Sequence, residues 1–298
     1  MQPLSEQPLV SVVIATFNMS QYLPAAVNSI LAGTYKNVEV IIIDDGSTDD
    51  TGRIIENSVD DDRVRYIRQQ NLGQPKAKNH GLREATGEFI AFCDADDLWE
   101  PNKLELQLPL FADASVGVVY SEISNIDQHQ QPLPQPEPQD RHRGTVTNEL
   151  LIKNFVPFGT AVIRRECVER SGYFDEQFRM GIDWDLWLRY SLDWQFDYVE
   201  DRTYIYRVWD GQMSTNYRGR YEHAFAILAN FETNHGEKVA KHVMRSAWAD
   251  NYISKARTYV HHEGRSIYSL RLLAKGIFLE PLSLKGWKCL FRILVGRR

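Results

Sequence analysis

The 298-residue chain lacks the features that mark several large classes of protein. Its three cysteines, Cys93, Cys167 and Cys289, lie far apart and show neither Cys-x-x-Cys nor Cys/His metal spacing. This sparse set argues against a disulfide framework and favours a reducing, intracellular compartment. No signal-peptide pattern opens the sequence, and no run of 18 or more apolar residues could span a bilayer. We therefore expect a cytoplasmic protein.

Positive charge is also scarce. The chain has 34 Lys and Arg against 40 Asp and Glu, which gives a formal net charge of -6. This balance argues against nucleic acid as a partner. The phosphate-binding P-loop, the Gly-x-Gly-x-x-Gly fingerprint and the Gly-x-Ser-x-Gly elbow are absent as well. Apolar residues at 43% and charged residues at 25% are ordinary values for a globular protein with a substantial core.

Short apolar runs alternate with helix-like segments through the first part of the chain. Strands that are apolar on both faces and alternate with helices predict an α/β fold with a mostly parallel central sheet covered by helices. The polar stretch 128–143 predicts a mobile loop, and helical patterns alone follow from about Tyr221. The predicted strands are Val10 to Ala15, Val38 to Ile43, Arg63 to Ile67, Glu88 to Cys93 and Val116 to Tyr120.

Polar residues stand where three of these predicted strands end. Thr16-Phe17-Asn18, Asp44-Asp45-Gly46-Ser47 and Asp94-Ala95-Asp96-Asp97 each follow an apolar run. Ligands of parallel α/β sheets bind at the carboxyl ends of the strands, so we expect these motifs to line one crevice. Taken singly, the second motif also fits a turn with a helix cap and the third a solvated loop. Their common placement favours a site.

The acidic run Asp94 to Asp97 poses an electrostatic problem. Two unit charges about 4 Å apart in a partly buried setting repel by roughly 4 kcal/mol. Crowded carboxylates therefore need a counter-cation or must hold protons. A hard divalent ion, which prefers oxygen ligands, is the obvious counter-cation.

The motifs occur in an order that resembles a known family. The chain has Val10 to Asn18, then Asp44 to Asp49, then Asn71-Leu72-Gly73 with Lys78-Asn79, then Asp94 to Asp97. Over about residues 8 to 210 this order is similar to the family 2 nucleotide-sugar glycosyltransferases of the GT-A fold. The resemblance implies a GT-A domain over 1–215, with a nucleotide-binding half (8–121) and an acceptor half (122–215), followed by a helical C-terminal region (216–298).

The resemblance also implies an activity. Such an enzyme moves a sugar, with inversion, from a nucleoside diphosphate to an acceptor hydroxyl, one sugar per encounter, because the Gln-x-x-Arg-Trp signature of processive synthases is absent. The acceptor would be a glycan, as in polysaccharide biosynthesis, a lipid-linked glycan or a small molecule. A divalent cation, Mn²⁺ or Mg²⁺, would stabilise the negative charge that develops on the leaving diphosphate.

Carried over to this sequence, the family pattern suggests a role for each motif. Asp45 would accept a hydrogen bond from the base of the donor, which suits uracil and therefore a UDP-sugar. Asp96 is the expected direct metal ligand, and Asp94 would face the metal, a metal-bound water or the ribose. The remaining nucleotide contacts implied by the resemblance are Thr16, Asn18, Gly73, Lys78 and Asn79.

An inverting displacement needs a base that deprotonates the acceptor hydroxyl. Asp183 matches the catalytic acid of the family in Gly181-Ile182-Asp183-Trp184-Asp185, and Asp185 is the second candidate. The alternative is that Asp183 only caps a helix, where the helix dipole favours a carboxylate.

Three positions depart from the family pattern. Lys78 stands where arginine is common, and lysine lacks the bidentate fork of arginine. Ile182 replaces the first acid of a Glu-Asp pair. Trp209 occupies the place of a histidine that can reach the metal or the diphosphate. Because indole cannot coordinate a metal, we expect Arg207 to take over part of the diphosphate contact, with substitution by a nearby polar residue as the alternative.

The C-terminal segment 284–298 interleaves apolar residues with lysine and arginine across a predicted helix. Such a basic amphipathic helix can lie on an anionic membrane, which would make the protein peripheral at the inner face of the membrane. The alternative is that this helix packs on its own protein.

Two other functions compete with sugar transfer. A sugar-1-phosphate nucleotidyltransferase also combines an α/β nucleotide domain with carboxylate-held metal, but its glycine-rich basic loop after the first strand is not matched by Thr16-Phe17-Asn18-Met19. A non-catalytic sugar-nucleotide-binding protein is the second alternative, and the departures at Lys78 and Trp209 are the features that would fit it.

Overall fold

The computed structural model describes residues 7–137 and 140–295. The chain forms two compact units. The first consists of Met1–Val146 and Phe155–Gln212, and the second of Thr147–Asn154 and Met213–Arg298. The short segment Thr147–Asn154 thus leaves the first unit, contributes one helix to the second and returns.

The first unit is built on an eight-stranded mixed sheet. Its strands are β1 (Val10–Thr16), β2 (Val38–Asp44), β3 (Val64–Arg68), β4 (Phe89–Phe92), β5 (Leu98–Trp99), β6 (Val116–Asp127), β7 (Val162–Arg164) and β8 (Gln195–Val208). Their order in the sheet is β3-β2-β1-β4-β7-β6-β8-β5. Strands β1 to β4 are parallel where they pair, whereas β7 runs antiparallel to both β4 and β6.

Helices flank this sheet, so the predicted α/β architecture is confirmed. The apolar residues of β1, β2 and β4 are almost completely buried, as expected for strands covered on both faces. The helices of the first unit are α1 (Leu23–Leu31), α2 (Thr51–Ser58), α3 (Gln74–Glu84), α4 (Lys103–Gln107), α6 (Arg165–Ser171) and α7 (Ile182–Tyr190), and α5 (Thr147–Ile152) belongs to the second unit.

The register of the parallel strands sets the position of the polar motifs. Thr16 pairs with Asp44 at the ends of β1 and β2, and Val13 pairs with Phe92 at the end of β4. The residues that follow these strands therefore emerge at the same edge of the sheet. This is the edge at which the sequence predicted a crevice.

Two segments differ from the prediction. Strand β6 does not stop at Tyr120 but continues to Asp127, because β8 pairs with it along this extension. The segment after β6, predicted as a mobile loop, makes defined contacts where it is described. Arg141 forms an ion pair with Glu122 at 2.7 Å, and the His142 backbone N–H donates to the Tyr120 hydroxyl at 2.9 Å.

The second unit is helical, as predicted for the C-terminal region. Besides α5, its helices are α8 (Tyr217–His235), α9 (Lys241–Glu263), α10 (Ile267–Leu279) and α11 (Leu284–Val295). A hydrophobic cluster joins α9, α10 and α11 through Ile253, Ala256, Leu272, Leu273, Cys289 and Ile293. Across residues 7–137 and 140–295, no helix has the length and apolar character needed to cross a membrane.

Candidate active site

Asp45 lies directly after β2, and its carboxylate binds the loop that leads into α3. It accepts hydrogen bonds from the Gln69 side chain at 2.7 Å and from the backbone N–H groups of Leu72 and Gly73, both at 2.8 Å. Gly73 adopts a φ of 94°, a conformation that strains other residues, and this turn points its N–H at Asp45. A carboxylate offers about four acceptor positions, so three bonds leave room for one further donor.

Two residues of the first motif, Thr16 and Asn18, lie beside the end of β2 and the turn that follows it. The Asn18 side-chain oxygen accepts from the Thr48 backbone N–H at 2.7 Å, so the β1 and β2 turns are tied together. Thr16 is buried, yet its hydroxyl oxygen makes no hydrogen bond to any residue that the structure describes. Because buried hydroxyls are normally paired, this atom is a natural donor or acceptor for a ligand at the end of β1.

Asp94 is the first acid after β4, and Lys78 of α3 neutralises it. The Lys78 ammonium lies 2.9 Å from one Asp94 oxygen and 3.5 Å from the centre of the Phe158 ring. Lys78 is buried, whereas about a third (32%) of the Asp94 side chain is exposed, so the pair meets the solvent on the Asp94 side. A phosphate contact by Lys78, as the resemblance implied, would compete with this ion pair.

Asp96 receives its hydrogen bond from the residue that replaces the family histidine. The Trp209 indole N–H donates to one Asp96 carboxylate oxygen at 2.7 Å. The Trp209 ring also lies 5.5 Å from the Tyr22 ring, and the α-carbon of Gly211 approaches so closely that a β-carbon there would lie 2.9 Å from the indole. Trp209 is thus held in place on two sides and points its only donor at Asp96.

The Arg207 side chain contacts the backbone of Asp96. Its guanidinium donates to the Asp96 carbonyl oxygen at 2.6 Å and lies 4.8 Å from the Tyr22 ring centre. The side chain is 1% exposed. Arg207 therefore supplies buried positive charge beside Asp96, whereas a direct diphosphate contact would need its side chain to open toward the ligand.

Asp97, to which the sequence assigned no role, anchors β8. Its carboxylate accepts from the Arg207 backbone N–H at 2.7 Å and from the Tyr204 hydroxyl at 2.8 Å. The Tyr204 hydroxyl in turn accepts from the Asp94 backbone N–H at 3.1 Å. Burial, with the nearby charges of Asp96 and Asp94, raises the pKa of Asp97 well above its usual range. Asp97 therefore fixes the acidic turn against β8.

The other two acids of the run, Asp94 and Asp96, fit a divalent cation that binds together with a diphosphate. Burial, followed by the charge of Asp94, raises the pKa of Asp96, as the crowding of carboxylates requires. Each of the two acids has one oxygen in the contact described above, with Lys78 or with Trp209, which leaves its second oxygen for a ligand. In the described part of the chain no three His, Cys, Asp or Glu side chains form a complete cage. Mg²⁺ and Mn²⁺ would take their other ligands from water and diphosphate oxygens.

Asn79 is occupied by the protein itself. Its side-chain oxygen accepts from the Phe174 backbone N–H at 2.9 Å, and its amide nitrogen donates to the Phe174 carbonyl and to Glu176, both at 3.0 Å. These bonds join α3 to the segment before α7. A nucleotide contact in which Asn79 donates would require one of the amide N–H bonds to break, because both are in use.

Two acids at the start of α7 are candidates for the catalytic base, and their surroundings differ. Asp185 is buried and accepts two hydrogen bonds from Arg189, at 2.8 and 3.0 Å, so the two residues form a buried ion pair within α7. Asp183 is half-buried. One turn further along, Trp187 packs on Phe92 at 6.4 Å between ring centres. This contact holds α7 against the end of β4, from which the acidic run emerges.

Sequence reasoning missed two aromatic residues of this site. Tyr22 faces both Arg207 and Trp209, and Tyr204 links Asp97 to the Asp94 backbone. Tyr22 stands just after the first motif and before α1, where its position was the available signal. Tyr204 lies inside β8, and no sequence pattern around it indicated a role in the site.

The comparisons agree with this geometry. The family described as glycosyl transferase family 2 matches residues 11–172, which is more than half of the chain. An uncharacterized glycosyltransferase of Nostoc is 32% identical over 185 residues, which cover 60% of this chain and 56% of the Nostoc protein. The aligned region thus spans little more than half the length of that relative. These matches favour sugar transfer over nucleotidyl transfer.

Solved structures share the fold at low identity. TarS of S. aureus, residues 1–349 in complex with UDP-GlcNAc, has a TM-score of 0.69 and 20% identity, covering 91% of this chain and 81% of that one. The mannosyltransferase PcManGT of Pyrobaculum calidifontis, in complex with GDP-Man and Mn²⁺, has a TM-score of 0.62 and 19% identity, covering 99% and 89%. At this identity the likeness shows the GT-A fold.

Proposed function

The chain belongs to glycosyl transferase family 2, and from this premise we propose that it transfers a single hexose from a UDP-sugar to an acceptor hydroxyl with inversion, assisted by Mn²⁺ or Mg²⁺. The observation that supports this proposal most directly is the pair Asp94 and Asp96 at the mouth of β4. Each acid is positioned by one protein donor and keeps one oxygen for a ligand.

Nucleotide binding would use the edge formed by β1 and β2. Asp45 can accept one more hydrogen bond, which suits the imino N–H of uracil. The unpaired Thr16 hydroxyl and the Asn18 turn border the same place. TarS binds UDP-GlcNAc and PcManGT binds GDP-Man, so both uracil and guanine donors occur among proteins of this fold. A panel of donors distinguishes them.

The chemistry follows from the charges of the site. Asp96, with support from Asp94, would hold the cation, which when bound neutralises the charge that develops on the leaving diphosphate. Arg207 adds a buried positive charge beside Asp96. Asp183 would take the proton from the acceptor hydroxyl on the opposite face of the sugar. Asp185 is the second candidate for this role, and its carboxylate already forms an ion pair with Arg189.

The first experiment measures donor use directly. Nucleotide release from UDP- and GDP-sugars is followed with Mn²⁺, with Mg²⁺ and with excess chelator, in the presence of candidate acceptors. We expect release to require a divalent cation and to fall by at least roughly a hundredfold in Asp96→Ala, which loses the proposed ligand. Full release with chelator would overturn the metal assignment.

The second experiment isolates the base. Asp183→Asn should bind the nucleoside diphosphate as the parent protein does and lose transfer by roughly three orders of magnitude or more. Asp193→Asn, a matched change at an exposed acid just after α7, should leave both unchanged. Normal transfer by Asp183→Asn would refute its role. Tight nucleotide binding without turnover of any donor would favour a non-catalytic protein.

The acceptor and the site of action are also part of the proposal. The acceptor would be a glycan, free or lipid-linked, or a small molecule with a free hydroxyl. The reaction would take place in the cytoplasm, where nucleotide sugars are available to an enzyme with three unpaired, buried cysteines.

A further inference from the structure

Helix α11 of the second unit has two apolar sides, and only one of them is covered. Gly286, Cys289 and Ile293 are buried, and the latter two join the cluster with α9 and α10. Residues spaced three and four apart form a second stripe on the opposite side of the helix. This stripe is between 50% and 71% exposed and consists of Leu284, Trp287, Phe291 and Val295.

Two further exposed apolar residues precede α11. Phe278, near the end of α10, is 85% exposed, and Leu282, in the turn before α11, is 93% exposed. Single exposed apolar residues are common, but a helical stripe of four that includes Trp and Phe is typical of an interaction surface. In the part of the chain that the structure describes, each side chain of the stripe stays at least half exposed.

A basic cleft runs along the flank of the same helix. It has a volume of ≈ 1070 Å³ and lies between α9 and α11. Its apolar lining includes Ile253 and Cys289, and four of its basic residues are Arg257, Arg265, Lys288 and Arg292. On α11, Lys288 and Arg292 follow one position after Trp287 and Phe291, so the basic flank adjoins the apolar stripe.

The positive charge of this cleft exceeds its negative charge. Glu263, an acid of the lining, pairs with Arg218 at 2.9 Å, and Lys285, a fifth basic residue of the lining, pairs with Asp250. Among residues 7–137 and 140–295, no acid forms an ion pair with Arg257, Arg265, Lys288 or Arg292. The chain as a whole carries a net charge of -6, so this local excess of cations opposes the overall balance.

We propose that the second unit docks on an anionic membrane surface, with the α11 stripe inserted at the headgroup boundary and lipid phosphates seated in the α9–α11 cleft. An anionic lipid supplies both of the partners that the surface lacks, namely acyl chain for the stripe and negative charge for the cleft. A second copy of this chain would cover the stripe but would bring two uncompensated basic clefts together, because a two-fold interface pairs identical surfaces.

The test uses the full chain and sedimentation with vesicles. We expect binding to vesicles of equal parts phosphatidylglycerol and phosphatidylcholine, and little binding to phosphatidylcholine alone. Each basic residue near an anionic surface changes the partition coefficient about fivefold, so Arg257→Gln with Lys288→Gln should lower it roughly 30-fold. Trp287→Ser with Phe291→Ser should lower it at least about tenfold, because two apolar side chains no longer insert.

Controls separate this surface from general charge and from misfolding. Lys241→Gln with Arg245→Gln removes two exposed charges at the other end of α9, outside the cleft, and should leave partitioning unchanged within about twofold. The substituted side chains are exposed or line the cleft, but Trp287→Ser also removes the hydrogen bond that the indole donates to the Pro281 carbonyl. Thermal unfolding of every variant is therefore compared with the parent protein, and sedimentation is measured well below the midpoint of unfolding. Neither donor turnover nor the assignment of the active site enters this readout.

Four results with vesicles and phosphate would overturn the proposal, and so would one result on the oligomeric state. They are equal binding to both vesicle types, no binding to either, full binding by the stripe variant, or binding of inorganic phosphate in the cleft with no affinity for anionic vesicles. A dimer in sedimentation velocity that the stripe variant dissolves would also overturn it, and would assign the surface to a second copy.

Discussion

Trp209→Phe tests the arrangement of the acidic site most sharply. The indole N–H donates to Asp96 at 2.7 Å, and phenylalanine removes this donor while keeping an aromatic ring beside Tyr22. A hydrogen bond to a charged group contributes about 1.5–3 kcal/mol. At 1.4 kcal/mol for each factor of ten, its loss corresponds to roughly a 10- to 100-fold change in the affinity for the cation, if the bond orients the ligand fully.

The assay is the dependence of nucleotide release on Mn²⁺ concentration. We expect the half-saturating Mn²⁺ concentration to rise at least about tenfold in Trp209→Phe, with a smaller change in the rate at saturating metal. The hydrogen bond from Trp209 also lowers the pKa of Asp96, so its loss raises that pKa further. Protons then compete better with the metal, and the defect should grow as the pH falls.

Trp248→Phe is the matched control, because its indole N–H donates to Glu232 at 2.9 Å, in the second unit. It removes the same kind of bond and should leave the Mn²⁺ dependence unchanged. An unchanged Mn²⁺ dependence in a folded Trp209→Phe protein would refute the reasoning, and so would an equal shift in both variants.

Two further predictions concern buried charges of the first unit. Burial lowers the pKa of Lys103 to about 7, whereas the unfolded chain keeps the ordinary value, so the unfolded state binds more protons between pH 7 and about 10. In urea unfolding, the free energy of unfolding should therefore rise with pH in this window. Relative to the Lys103→Met variant, the rise should reach up to ~1.4 kcal/mol per pH unit. Parallel pH profiles of the two proteins would contradict this prediction. Asp185→Asn breaks the ion pair with Arg189 and should lower the free energy of unfolding by about 3 kcal/mol in the same assay. The protein that remains folded should retain sugar transfer. A loss of transfer without a loss of stability would instead favour Asp185 as the catalytic base.

The parts of the fold that sequence could predict are those with a local signal. Strands β1, β2 and β4 are short, continuously apolar runs, because both faces of the sheet are covered there. The extension of β6 to Asp127 escaped prediction, because its residues are stabilised by pairing with β8 rather than by their own pattern. Strand β5, which has only two residues, was likewise too short to show a period.

The candidate site likewise contains residues that the sequence could place and contacts that it could not. The positions of Asp45 and Asp94 followed from polar residues placed at the ends of buried strands. The preference for Asp183 over Asp185 came from the family resemblance alone, because both acids stand in the first turn of α7 and either could cap it. The ion pair of Asp185 with Arg189, four residues further along, became visible only in the structure.

By itself the sequence determined that carboxylates surface at the mouth of a core strand and that their order matches a family of sugar transferases. The tertiary structure decided what each acid of the run does. Asp94 pairs with Lys78, Asp96 accepts from Trp209, and Asp97 accepts from β8. The physical reason is distance along the chain. The burial of a strand and the place where it ends can be predicted from residues that are close in sequence. The Trp209 donor, however, lies 113 residues from Asp96, and only the folded sheet brings the two together.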